Sequence, residues 1–165
     1  MGLTPDFYFE KFYMADADFL ISIGVRGIIL DVDNTLEPYE NAKPGKEVTD
    51  WLSELTRRGI SAAIVSNNNK KRIDTFNAEL SLLAFSRAAK PFAKNVRRAM
   101  RVLGTDKTST VLMGDQIFTD VWAARNAGIR AILVPPINDK RDIFTKFKRL
   151  LERPILKKYW RKHKK

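Results

Sequence analysis

Cysteine is absent from this chain of 165 residues, and histidine occurs once, at His163. Without thiols the chain has no disulfide framework, no thiolate metal site and no cysteine nucleophile. A single histidine also excludes the histidine clusters that commonly bind zinc. Any catalytic chemistry must therefore depend on carboxylates, hydroxyls, amides and amines.

Long hydrophobic runs are missing as well, and no apolar stretch approaches the roughly 20 residues that span a bilayer. The N-terminal segment contains Pro5, Asp6 and Glu10 instead of the aliphatic run of a signal peptide. We therefore expect a cytoplasmic protein. The hydrophobic content of 44% is that of a globular chain. Its length fits one domain over residues 1–165, with a core from about residue 25 to 150.

Positive charge is concentrated at one end of the chain. The formal net charge is +11, and residues 140–165 contain 12 Lys or Arg against 2 acidic side chains. The rest of the chain is nearly neutral, so the tail at residues 154–165 is predicted to be a basic amphipathic segment. Such charge attracts anionic partners, either a membrane surface or a nucleic acid.

Short apolar runs alternate with amphipathic segments through the middle of the chain. Predicted strands cover residues 27–33, 60–67, 82–86, 109–115 and 131–135. Predicted helices cover residues 46–58, 70–80, 92–103 and 119–127. Gly59, Gly104 and Gly128 end three of these helices, as C-terminal caps do. The pattern predicts an α/β fold with a doubly wound, Rossmann-like parallel sheet of five core strands in the order 3-2-1-4-5.

Asp31 and Asp33 form the most informative pair in the sequence, because they directly follow the apolar run Gly27-Ile28-Ile29-Leu30. Alternate residues of a strand share a face, so the two carboxylates are expected on the same side. Two crowded carboxylates repel each other, and a hard cation such as Mg²⁺ is the usual reason to bring them together. The pair therefore suggests phosphoryl transfer in which an aspartate is the nucleophile.

Ser66 and Asp115 also fall at predicted strand ends, and with Asn67 and Lys90 they supply the remaining parts of such a site. Asp31 is placed as nucleophile and Asp33 as general acid and base. Ser66 and Asn67 stand where a strand enters a helix and backbone amides bind anions, while Lys90 offers a fixed positive charge. The candidate metal ligands are Asp31, Asp33 and Asp115.

Each motif has a structural explanation when it is taken alone. Asp-x-Asp is common in turns, Ser66 can cap a helix, and Lys90 can be a solvated surface residue. Asp115 after Gly114 can belong to a turn. The four motifs together, in this order and each at a strand end or loop, favour the catalytic interpretation.

These motifs resemble those of the haloacid dehalogenase (HAD) phosphatase superfamily, over roughly residues 27–135. The matching motifs are Asp31-x-Asp33-x-Thr35, Ser66, Lys90 and Gly114-Asp115-x-x-x-Thr119-Asp120. More narrowly, they are similar to the capless YqeG-type subgroup (subclass III), which includes relatives of phosphatidylglycerophosphate phosphatases. The resemblance implies a HAD-like fold without a cap domain and a Mg²⁺-dependent phosphatase.

The resemblance also implies the roles of individual residues. Asp31 would attack phosphorus, and Asp33 would protonate the leaving oxygen and then activate water. The metal would be held by the Asp31 side chain, the Asp33 main-chain carbonyl and Asp115, with Asp120 supporting that shell. The substrate phosphate would contact Thr35, Ser66, Asn67 and Lys90, although a structural role remains the alternative for Thr35.

Two amphipathic segments close the chain and bear on the substrate. The first is expected to pack on the sheet as a final crossover helix through Ile143, Phe144, Phe147, Leu150 and Leu151. Pro154 is expected in the first turn of a new helix, because proline suits that position. This second segment is expected to contact an anionic surface through Ile155, Leu156, Tyr159 and Trp160.

Several partners are consistent with these features. A phospholipid such as phosphatidylglycerophosphate, reached at the inner face of the membrane, is the first expectation. A capless phosphatase for a nucleic-acid end, a phosphoprotein or a small metabolite is the second. A nucleic-acid-binding or ribosome-binding module is the alternative of a different class. The aromatic residues near the N-terminus are expected to pack on the body, or to form an apolar rim beside the site.

Overall fold

The computed structural model describes residues 2–138 and 143–163, without the side chains of residues 143–145. A six-stranded sheet forms its centre, and every pair of neighbouring strands is parallel. The order across the sheet is β1-β6-β5-β2-β3-β4. The strands are β1 (Phe7–Tyr8), β2 (Gly27–Leu30), β3 (Ser61–Val65), β4 (Leu83–Phe85), β5 (Thr110–Gly114) and β6 (Arg130–Leu133).

The five predicted core strands and their order 3-2-1-4-5 are confirmed, since they correspond to β4-β3-β2-β5-β6 read from one edge. The additional strand β1 was not predicted. It is two residues long, and it pairs Phe7 with Ile132 and Tyr8 with Leu133 at the edge of the sheet. Two residues carry no detectable alternation, so only the pairing identifies them as a strand.

Helices cover both faces of the sheet. They are α1 (Ala17–Ser22), α2 (Lys46–Arg57), α3 (Lys70–Asn77), α4 (Lys94–Leu103), α5 (Trp122–Ala127) and α6 (Ile143–His163). The predicted helix at residues 119–127 is in fact a π-helical turn (Ile117–Val121) that leads into α5. A 3₁₀ turn (Phe12–Met14) precedes α1.

Two apolar clusters, one on each face, make the fold doubly wound. Ile28 and Leu30 of β2 point into one cluster, with the buried side chains of α2 and α3. Ile29 points into the other, with those of α4 and α5. Because β2 is buried on both faces, its four residues form a continuous apolar run without polar alternation.

The N-terminal aromatics pack on the body, as expected, except that Tyr13 is 38% exposed. Phe12 is buried, its ring lies 5.2 Å from that of Trp51, and Phe7, Phe9 and Phe19 pack against the same cluster. Within the described residues, no helix combines the length and the apolar character needed to cross a bilayer.

The break predicted at Pro154 is wrong, because α6 continues through it from Ile143 to His163. Proline removes one helical hydrogen bond, a loss that contacts with the body can offset. On the N-terminal side of the proline, Glu152 accepts a hydrogen bond from the Ile117 backbone N–H at 2.7 Å. On the other side, Tyr159 is buried against the body.

The two halves of α6 exchange the roles predicted for them. Phe147, Leu150 and Leu151, expected to pack on the sheet, are 58%, 53% and 47% exposed. Of the four residues expected to face a partner, Ile155 and Leu156 pack against the body and Tyr159 is buried, while Trp160 is 42% exposed. The prediction also included Ile143 and Phe144, whose side chains lie outside the described residues. Helical periodicity identified both apolar faces but could not tell which one meets the core.

Candidate active site

The polar residues predicted at strand ends lie along one edge of the sheet. Asp31 follows β2, Ser66 follows β3 and Asp115 follows β5. Because β2 pairs with both β3 and β5, Leu30 lies opposite Ile64 and Met113, and the next residues share the same rim. From β2 the next strands along the chain, β3 and β4, lie on one side, while β5 and β6 lie on the other. Ligands bind at this switch point in such folds.

Lys90 joins two of these carboxylates. Its Nζ atom lies 2.9 Å from Oδ1 of Asp31 and 2.6 Å from Oδ1 of Asp120. The side chains of Lys90 and Asp120 are 2% and 1% exposed. One buried ammonium therefore compensates two buried carboxylates, so the group keeps a negative charge.

The ionisation of these groups reflects that imbalance. Burial raises the pKa of Asp31 to about 7; Lys90 lowers it, while Asp120 and Asp115 raise it further. Burial, with Asp120, likewise raises the pKa of Asp115 to about 6, although Arg149 opposes this. Burial disfavours the charged form of Lys90, but Asp120 and Asp31 raise its pKa nonetheless. Burial and the neighbouring carboxylates thus disfavour the charged forms of Asp31 and Asp115, and a further cation would stabilise those charged forms.

Asp120 supplies a third buried carboxylate to the site, and its side chain packs tightly against the backbone of β5. Its Oδ2 atom accepts a hydrogen bond from the Gln116 N–H at 3.1 Å. A Cβ atom on Gly114 would lie 2.3 Å from that oxygen, so only glycine fits there. The π-helical turn carries Asp120 back toward β5, and such turns are frequent at functional sites.

A divalent cation fits this cluster. Carboxylate oxygens of Asp31, Asp115 and Asp120 lie within 4.8 Å of one another, and all three residues are buried. An all-oxygen set suits Mg²⁺, which is bound through a few carboxylates and keeps several waters. The Asp33 side chain is not part of the cluster, which leaves its main-chain carbonyl as the donor expected from the resemblance.

Asp115 has two further neighbours. Its Oδ1 atom accepts a hydrogen bond from Thr35 Oγ1 at 3.2 Å. Its Oδ2 atom lies 2.5 Å from Nη2 of Arg149, and Nη1 of Arg149 also bonds the Asp115 main-chain oxygen. Thr35 therefore positions an acidic side chain in this structure, and an arginine of α6 occupies one of the oxygens that a metal would use.

Asp33 is held by a separate set of donors. Nε and Nη2 of Arg72 lie 3.0 and 2.9 Å from its Oδ1 atom, and Nδ2 of Asn68 lies 2.7 Å from its Oδ2 atom. The Asp33 side chain is 7% exposed and that of Arg72 is 12% exposed. This fixes the Asp33 carboxylate at the rim, apart from the acidic cluster.

Ser66 and Asn67 lie at the expected place, but their side chains make structural contacts. The Asn67 amide accepts from the Lys90 backbone N–H at 2.7 Å and donates to the Lys90 carbonyl at 3.1 Å. Oγ of Ser66 accepts from the Asn68 N–H at 3.1 Å. Asn67 thus holds the backbone of Lys90, so that its ammonium reaches Asp31.

An open cleft of about 290 Å³ leads to the site. It is lined by Asp31, Asp33, Tyr39, Asn67, Asn68 and Gln116. Between Asp33 and Lys90 the chain forms only α2, β3, α3 and β4, so the described residues of this interval contain no cap domain. The cleft therefore leaves the acidic rim, formed by Asp31, Asp33 and Asp115, open to a bulky ligand.

Sequence reasoning missed Arg72, Asn68, Arg149 and Glu152. Arg72 lies 39 residues from Asp33, and Arg149 lies 34 residues from Asp115. Neither arginine stands at a strand end, and each belongs to a helix whose charged residues look like a solvated face. Only the polar sequence Ser66-Asn67-Asn68-Asn69 carried a local signal, which could have included Asn68.

Comparison with known proteins assigns the family. The family model of haloacid dehalogenase-like hydrolases matches residues 1–134. The chain is 34% identical to the probable phosphatase YqeG of Bacillus subtilis over 158 residues, which is 96% of this chain and 92% of that protein. It is also 43% identical to the 5′-nucleotidase YutF of B. subtilis, over 56 residues that cover 34% of this chain and 22% of that protein.

Solved structures agree on the fold. The cobalt-bound deoxy-D-mannose-octulosonate 8-phosphate phosphatase YrbI of Haemophilus influenzae aligns with a TM-score of 0.55 and 15% identity, covering 79% of this chain and 88% of that one. The family match and the YqeG similarity extend over most of the chain and include the acidic rim. The chain therefore belongs to the haloacid dehalogenase-like hydrolases, and it is a phosphatase.

Proposed function

We propose that the protein hydrolyses phosphomonoesters with Mg²⁺ through an aspartyl-phosphate formed on Asp31. The observation that carries this proposal is the placement of Asp31. Its carboxylate lies beside Lys90 at 2.9 Å, within the acidic cluster, and lines the open cleft. A carboxylate is an established nucleophile in phosphoryl transfer.

The proposed reaction has two steps. In the first, an Asp31 oxygen bonds to phosphorus, the bond from phosphorus to the ester oxygen breaks, and Asp33 gives that oxygen a proton. In the second, Asp33 takes a proton from water as the water oxygen bonds to phosphorus, and the bond from phosphorus to the Asp31 oxygen breaks, which releases phosphate and restores the Asp31 carboxylate. Lys90 stabilises the negative charge on the transferring oxygens, together with backbone amides near Ser66.

The proposed Mg²⁺ ligands are Asp31, the Asp33 main-chain carbonyl and Asp115, with Asp120 beside them. Bound there, the ion would offset repulsion between the carboxylates and the phosphate. Asp120 holds Lys90 at 2.6 Å, and Thr35 holds Asp115 at 3.2 Å, so both orient their partners. Arg149 contributes positive charge at the same place and thereby competes for an oxygen of Asp115.

Replacing Arg149 by Gln is expected to make folding depend more strongly on Mg²⁺. The substitution leaves the buried Asp115 carboxylate short of a partner, which costs about 1–3 kcal/mol without metal. It also frees Oδ2 for the ion, so added Mg²⁺ should stabilise the variant more than the parent protein. Thermal unfolding with and without Mg²⁺ measures both effects.

Arg153→Gln is the matched control for this prediction, because Arg153 lies one turn further along α6 and is exposed. It removes the same charge without touching Asp115. An equal response to Mg²⁺ in the two variants would contradict competition between Arg149 and the ion.

A phospholipid-linked phosphate, such as phosphatidylglycerophosphate, is the proposed substrate. The motifs resemble a subgroup that includes relatives of phosphatidylglycerophosphate phosphatases, and the open cleft accommodates a phosphate held at a surface. Cationic residues in α6 favour an anionic membrane as the place of reaction.

A release assay with Mg²⁺ tests this substrate. Phosphate release from phosphatidylglycerophosphate in mixed micelles is expected to be faster, by about tenfold or more in kcat/KM, than from soluble sugar, nucleotide and peptide phosphates. Faster release from the soluble phosphates would exclude the proposed lipid substrate, but it would not contradict the aspartyl-phosphate chemistry.

A nucleotide phosphate is the second candidate, because the 56-residue match is to a 5′-nucleotidase. Preferred release from nucleoside monophosphates in the same assay would favour it. The basic α6 also fits a nucleic-acid end or an RNA-binding role. RNA affinity that falls steeply with salt, without affinity for anionic vesicles, would favour that alternative.

A further inference from the structure

Helix α6 has one face committed to the body. Glu152 is 4% exposed and accepts a hydrogen bond from the Ile117 backbone N–H, and Tyr159 is 6% exposed. Ile155 and Leu156 pack against the apolar cluster that also includes Tyr8. These contacts lie three to four residues apart, as neighbours on one helical face do.

The opposite face of α6 carries an exposed apolar patch. Phe147, Leu150 and Leu151 are each about half exposed, and their spacing of three and four residues places them together. Large apolar side chains grouped at a surface usually mark an interaction site. We call these three residues the outer apolar patch.

Exposed cations lie beside the outer apolar patch and along the remainder of α6. The exposed basic residues of the helix are Lys146, Arg153, Lys157, Lys158, Arg161 and Lys162. Residues 143–163 include eight Lys or Arg and one acidic residue, Glu152, which is buried. The exposed surface of the helix therefore combines apolar side chains with positive charge and lacks negative charge among its described residues.

We propose that the outer apolar patch and the exposed cations of α6 seat this protein on an anionic lipid bilayer. A helix lying in the interface inserts apolar side chains below the headgroups while its cations contact anionic lipids, which is the pattern seen here. A second copy of the chain is the poorer occupant, because two such helices would bring like charges together.

The outer apolar patch lies on the same part of α6 as the contact with the active site. Arg149 lies between Phe147 and Leu150 in the chain and bonds Asp115 from the other side of the helix. Successive helical residues rise by about 1.5 Å, so the patch and the Asp115 contact share the same turns of α6. Docking through this patch brings the acidic rim near the headgroup layer; in this respect the inference rests on the proposed lipid-linked substrate.

Vesicle binding tests the docking surface without any turnover. The 165-residue chain is mixed with phosphatidylcholine vesicles that either contain or lack phosphatidylglycerol, and the bound fraction is measured by sedimentation. We expect binding only with phosphatidylglycerol. The triple variant Phe147→Ser, Leu150→Ser and Leu151→Ser should bind at least about tenfold more weakly, since it loses three apolar side chains at the interface.

A matched triple variant controls for lost surface hydrophobicity. Met14→Ser, Ile21→Ser and Val102→Ser replace three exposed apolar residues outside α6 and should leave vesicle binding unchanged. Hydrolysis of p-nitrophenyl phosphate by both triple variants should match the parent, which shows that the fold and active site are intact.

Three results would overturn the inference. The parent protein could fail to bind phosphatidylglycerol vesicles, or the α6 variant could bind them as the parent does. A dimer in solution that the α6 variant abolishes, without vesicle binding, would assign the patch to a second copy. Vesicle binding without release of lipid phosphate would support the docking surface and reject only the lipid substrate.

Discussion

Replacing Asp31 by Asn is expected to reduce turnover by about 10⁴-fold or more while the fold is retained. The amide cannot form the aspartyl-phosphate, and loss of an enzymatic nucleophile has effects of this order. Lys90 keeps Asp120 at 2.6 Å, so the substitution leaves no buried charge without a partner. Steady-state hydrolysis, with far-UV circular dichroism of the same samples, measures both expectations.

Asp74→Asn is the control, because it removes a carboxylate from the exposed surface of α3. It should not affect turnover. Acid-quenched reactions with radiolabelled substrate should leave label on the parent protein and none on the Asp31 variant. Normal turnover by the Asp31 variant would remove Asp31 as the nucleophile.

Replacing Lys90 by Met is expected to destabilise the metal-free protein by about 3–5 kcal/mol, besides impairing catalysis. Asp31 and Asp120 would then face each other in a buried site without a shared cation, and breaking a buried ion pair from one side has this cost. Mg²⁺ should restore part of the loss by supplying positive charge. Urea unfolding with and without Mg²⁺ measures it.

Two further variants sharpen this second prediction. Lys94→Met, at an exposed position of α4, should change the free energy of unfolding by less than about 0.5 kcal/mol. The double variant Asp31→Asn with Lys90→Met should be more stable than Lys90→Met alone, because one of the repelling charges is gone. A loss below about 1 kcal/mol for Lys90→Met would contradict the charge balance described for the site.

The residues predicted for the site form separate groups in the structure. Asp31 and Asp115 belong to one buried charged group, as their positions at strand ends indicated, and Lys90 reaches the same group from a loop. Asp33 lies outside that group and faces Arg72, and the Asn67 side chain is taken up by the Lys90 backbone. Spacing in the sequence indicates which residues reach the rim, but hydrogen-bond partners are decided by side-chain packing.

Helix α6 also shows that a sequence pattern does not decide side-chain packing. Its apolar residues were all recognised, yet the face expected to pack is exposed, and the face expected to be exposed packs except at Trp160. Both faces satisfy the helical period equally well. Pro154 also proved compatible with a continuous helix, since Glu152 and Tyr159 attach it to the body on either side of the proline.

By itself the sequence determined the α/β architecture, the strand order and the gathering of Asp31, Ser66 and Asp115 at one edge of the sheet. Apolar periodicity and turn residues act locally, and these three residues directly follow strands whose carboxyl ends must meet. Only the tertiary structure decided the partners of those groups, namely Arg72 for Asp33 and Arg149 for Asp115. It also decided which face of α6 remains exposed, because contacts between residues far apart in the chain depend on how the elements pack.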